Sequence, residues 1–84
     1  MEISKSYDGL TIYTNNHVDA ELVNATKKVL ETEPHVNVSF SVIGRTRHVG
    51  LSHELLHELG PEYEADIDYD MYGCVVRRST NGTR

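Results

Sequence analysis

The residues of this sequence best suited to chemistry are His53, Glu54 and His57, in the stretch His53-Glu54-Leu55-Leu56-His57. Side chains four residues apart on a helix lie one turn apart on one face, so both imidazoles can address a single ion. At about 100° per residue, Leu51, Leu55 and Leu59 fall on one side of such a helix and the two histidines nearly opposite. The leucines would anchor the helix in a core while the histidines face a cleft. Neutral imidazole nitrogen suits zinc, and a catalytic zinc takes three protein ligands and a water. Glu54, next to the first histidine, is placed to act as general base on that water and to pass its proton to a leaving amine. The reaction these groups suit is hydrolysis of a peptide bond. The plainer alternative is two surface histidines on an acidic helix, since a five-residue motif with three fixed places also arises by chance.

The elements that must hold this motif follow from composition and pattern. With 84 residues, 38% hydrophobic and 25% charged, the chain predicts one small folded domain over residues 1–84. The stretches Glu2 to Ser6 and Leu10 to Thr14 read as strands around an Asp8-Gly9 turn. Val18, Leu22, Val23, Thr26, Val29 and Leu30 recur at helical spacing, capped by Asn16 or Asp19 and stopped by Pro34. Val36 to Ile43 alternates as a half-buried strand that Gly44 ends, and the stretch GRTRHVG reads as a loop. The motif helix then runs from Val49 or Leu51 to Leu59, stopped by Gly60-Pro61. Residues 65–76 alternate again, as a strand or an extended loop, and residues 76–84 are expected to fray. The expected fold class is α+β, a small and mostly antiparallel sheet carrying two helices.

Beyond the motif, the segment HELLHELGPEY fits HExxHxxGxxH at every fixed place but the last, where Tyr63 stands for histidine. Met71-Tyr72 follows eighteen and nineteen residues after His53. Over residues 50–73 the chain resembles the metzincin metallopeptidases, the matrix metalloproteinases in particular, whose zinc motif is followed by a methionine turn. The resemblance implies a minimal zincin-like core. It makes His53 and His57 zinc ligands, Glu54 the general base, Gly60 the turn glycine and Met71 the base of the site. The third ligand does not carry over: Tyr63 and Glu62 are equal candidates, with Glu64 and Asp66 as further carboxylates. Family catalytic domains are much longer, so most of a substrate-binding wall is missing here.

Other residues support other readings. Thirteen acidic against eight basic residues give a net charge of −5, and residues 54–70 hold seven acidic side chains and no Lys or Arg. That balance excludes nucleic acid as an expected partner, since such binding rests on neutralising phosphates. No run is long and apolar enough to cross a membrane, and the first residues carry no secretory pattern, so a soluble chain is expected, either cytoplasmic or already processed. The acidic stretch Asp66 to Asp70 begins like a calcium loop, but Met71 and Arg77 occupy the places that need glycine and glutamate. His48 reads as a polar loop residue, with metal ligation or substrate contact as alternatives, and His17 and His35 as exposed. Cys74 reads as a small core residue. The rival to a zinc peptidase acting on a peptide or protein is a small acidic interaction or assembly subunit. Its metal would be structural or its site degenerate, and it would work with a partner chain or as a homo-oligomer.

Overall fold

Alternating apolar residues build five strands, and two amphipathic segments supply the helices that cover them. The computed structural model describes residues 1–6, 9–42, 44–70 and 72–79. β1 (Glu2–Ser6) and β2 (Gly9–Thr14) form the expected antiparallel pair. Asp8, at the expected turn, lies outside the described residues, as do Ile43 and Met71. α1 (Ala20–Val29) follows, capped by Asp19, whose carboxylate accepts from the Leu22 amide at 2.9 Å. β3 (His35–Phe40), α2 (Arg45–Leu59), β4 (Tyr63–Asp68) and β5 (Gly73–Arg78) complete the chain.

The strands lie in the order β1-β2-β3-β5-β4. Three pairings are antiparallel and β2–β3 is parallel, because α1 carries the chain back to the start of the next strand. Register aligns Ile12 with Val38 and Val38 with Cys74, and sets Val36 beside Val76. All five are buried, together with Leu22 and Val29 from α1 and Leu51, Leu55 and Leu59 from α2. Both helices therefore pack on the same face of the sheet. Each fully buried side chain of this size contributes roughly 1.5–3 kcal/mol. The opposite face carries Thr11, Tyr13, Asn37, Ser39, Val75, Arg77, Glu64 and Asp66, and among the described residues no helix covers it.

Three expectations need correction. The stretch GRTRHVG is not a loop: α2 begins at Arg45, directly after Gly44, and runs unbroken to Leu59. Residues 65–76 are not one extended run but parts of two strands, β4 and β5, which pair as a hairpin. The expected frayed tail, residues 76–84, is ordered over its first part: Val76 is fully buried in β5, and the Ser79 amide donates to the Glu62 carbonyl at 2.8 Å. Residues 80–84 lie outside the described residues.

Two glycines separate propensity from packing. Gly50 sits inside α2 with open space where a Cβ would go, whereas a Cβ on Gly73 would collide with the Val38 carbonyl oxygen. Gly50→Ala should stabilise the fold by about 0.5–1 kcal/mol, and Gly73→Ala should destabilise it by about 1–3 kcal/mol. Urea unfolding midpoints of the two variants test both signs.

Candidate functional site

α2 turns His48, Leu51, Ser52, Leu55 and Leu59 into the core. From the centre of that stripe, His53 and His57 lie about 140° and 180° around the helix. Both are exposed, as are Glu54 and Glu58. The sequence placed the imidazoles opposite the leucines, and the structure agrees. The cleft that was to receive them is a different matter, because helices form a single layer and nothing described lies beyond α2 on that side. Among the described residues, grooves on either flank of the helix are lined by neither His53 nor His57. One, of about 480 Å³, is lined by Asn16, His17, Arg47 and Glu54 among others, with Arg47 donating to the Asn16 carbonyl at 3.2 Å. The other, of about 340 Å³, lies between α1 and α2 beside Asp19, Asn24, Glu54 and Glu58. Glu54 thus faces α1, toward the basic and acidic groups of the loop before it.

A catalytic zinc needs three protein ligands. Among the described residues no group of three or more His, Cys, Asp or Glu could hold a metal ion, so Glu62, Glu64 and Asp66 do not join the two histidines in such a group. Tyr63 opens β4 half-buried, packed against the core. Gly60 does take the positive φ, 102°, that a sharp chain reversal at the helix end requires.

The polar site that sequence reading missed lies on the other side of α2. His48 is completely buried inside the helix, not in a loop. Its Nε2 donates to the Asp68 carbonyl at 3.1 Å, while Nδ1 is buried with no hydrogen-bond partner among the described residues. Tyr69 and Tyr72 meet the ring edge-on, with centroids 6.4 and 5.3 Å away. One turn on, the Ser52 hydroxyl is also buried. It approaches the Cys74 thiol and draws that thiol's pKa slightly down, but burial dominates and pushes it up to about 11. The available signal was spacing: 48, 52, 55 and 59 continue one helical stripe through the supposed loop.

Across the uncovered sheet face, acidic and basic groups meet at the β4–β5 side. Arg77 donates to Glu64 and to Asp66, each at 2.7 Å. The hydrogen bond from Arg77 holds the Asp66 carboxyl below the usual aspartate range, and that bond likewise raises Arg77. At the N-terminus of α1, the Leu22 amide likewise lowers the Asp19 pKa. His17, exposed, pairs with Asp19 at 3.1 Å. His35, expected to be exposed, is half-buried on the uncovered face beside Arg77.

No family model matches this chain. No curated protein and no solved structure matches it either.

The buried thiol yields a prediction in pH. A free thiol titrates near 9.0, and in the fold Cys74 does so at about 11. The stability it contributes is complete below the lower value and declines as pH rises through the interval toward the upper one. Cys74→Ala should therefore flatten the loss of stability between pH 9.0 and about 11. Unfolding midpoints of both proteins across that range, compared as a difference, provide the check.

Proposed function

We propose that this chain is a small acidic interaction module, a subunit or adaptor that presents one sheet face and its edge to another protein. The observation that carries the reading is one-sided packing. Both helices cover a single face, leaving the other with Tyr13 at 48% exposure beside threonine, asparagine, serine and a valine. Tyr69 and Tyr72, exposed at 54% and 40%, add aromatic surface next to Asp68 and Asp70. Tyrosine beside hydrogen-bonding groups is the composition that protein interfaces favour. On this reading the apolar core holds the fold and no structural metal is required.

The peptidase reading keeps one observation of its own. His53 and His57 stand on one unbroken helix with the spacing that two-point capture of an ion needs, and Gly60 turns the chain where the metzincin-like pattern wants it. On that reading zinc itself draws Tyr63 or a neighbouring carboxylate to the two imidazoles as third donor, and the purified chain cleaves peptide once zinc is supplied.

The two readings part on one paired measurement. Purified chain, given zinc and a mixture of peptides, should show no cleavage that Glu54→Gln removes, and chelator should leave its unfolding midpoint unchanged. Glu54-dependent cleavage overturns the interaction reading. A midpoint that falls on chelation assigns the two histidines a structural ion and overturns the claim that the fold is complete without metal.

A further inference from the structure

β4 is the end strand of the sheet: among the described residues it pairs with β5 alone. The Ser79 amide donates to the Glu62 carbonyl, and in an antiparallel ladder bonded pairs alternate. Glu64 and Asp66 therefore spend their backbone groups on β5, whereas Ala65 and Ile67 turn theirs outward, as does the Tyr63 carbonyl, the Tyr63 amide donating to the Gly60 carbonyl at 3.3 Å. An outward row of amides and carbonyls is a template for one more strand. The side chains of that strand would meet two different rows. Toward the helices lie Tyr63, Ala65 and Ile67, all half-buried against the core. Toward the uncovered face lie Glu64, Asp66 and Asp68, with Glu62 and Asp70 at either end.

Charge decides the occupant. Arg77 answers Glu64 and Asp66, and exposed Arg45 stands 3.8 Å from Asp70. Glu62 and Asp68 have no Lys or Arg partner among the described residues, so the edge keeps an excess of negative charge. A second copy of β4 would set carboxylates opposite carboxylates, which destabilises a strand pair. The opposite edge, β1, carries Glu2 and Lys5 and selects neither sign. We propose that β4 accepts an extended basic segment of another protein as a sixth strand, its Lys or Arg residues on the uncovered face and small apolar residues on the helix side. This is strand addition, in which main-chain bonds give affinity and alternate side chains give selectivity. The inference rests on the interaction reading and names its partner.

The test is an amide-resolved NMR titration of the full chain with a peptide of alternating lysine and valine, about six to eight residues long. Saturable shifts centred on Tyr63, Ala65 and Ile67 are expected, with slowed hydrogen exchange at the Ala65 and Ile67 amides. A peptide of alternating glutamate and valine should not bind, nor should the lysine peptide N-methylated on its edge-facing residues. Glu62→Lys combined with Asp68→Lys should weaken binding about three- to tenfold. Equal binding by the methylated peptide, or no binding by the lysine peptide, overturns strand addition. Shifts confined to Thr11, Asn37, Ser39 and Val75 also overturn it while leaving the interaction reading intact. Glu54-dependent cleavage of the peptide overturns the interaction reading itself.

Discussion

Burial in this molecule is one-sided, and the rest of the structure depends on that constraint. One apolar layer, built from a single parity of residues on β2, β3 and β5, meets one stripe from each helix. A chain of 84 residues has too little apolar surface to cover the sheet twice. Whatever stands on the reverse of the sheet, or on the outer side of the helices, must be stable in contact with water or with another chain. The HExxH motif stands on such a surface. So do Tyr13 and the carboxylates of β4.

Local periodicity was enough for much of this. The strict alternation of Val36, Val38 and Phe40 gave β3 and the correct buried face. Leu22, Thr26 and Val29, with Asp19 before them, gave α1 and its cap. The start of α2 was hidden because Gly44 and Gly50 both look like loop residues and no acidic side chain marks the first turn. What holds that turn in the helix is tertiary: a histidine and a serine buried against β5 and the loop before it. Composition argues against burying those residue types, so a reading by residue type sends them outward. The crossover that makes β2 and β3 parallel was also out of reach, since strand patterns carry no direction.

The candidate site divides along the same line. An i, i+4 spacing fixes the angle between two side chains and their angle to the leucines, and both were legible. Whether anything lies above the histidines is a property of other segments, and the helix itself carries no trace of it. The acidic block shows the same division. Read as a sum, residues 54–70 form one cation-attracting stretch. In the fold, Glu54 and Glu58 line grooves beside α1, Glu64 and Asp66 are tied to Arg77, and only part of the charge remains free on the β4 edge.

The turn between β4 and β5 makes the point geometrically. The metzincin-like reading puts a methionine turn beneath the zinc ligands, with Met71 at its centre. The flanking residues do support α2 from below: Tyr72, held at a left-handed φ of 54°, offers its carbonyl to the Phe40 amide at 2.9 Å and its ring to His48. A non-glycine residue adopts that backbone only when its surroundings over-determine it, and here a strand amide and a buried imidazole do so. The histidine this turn meets is thus His48, five residues before His53 and about 140° around the helix from it. The turn braces the core side of α2, and bracing that side is what directs His53 and His57 away from it. The same contact that fixes the helix with its two imidazoles in register also points them outward, into solvent.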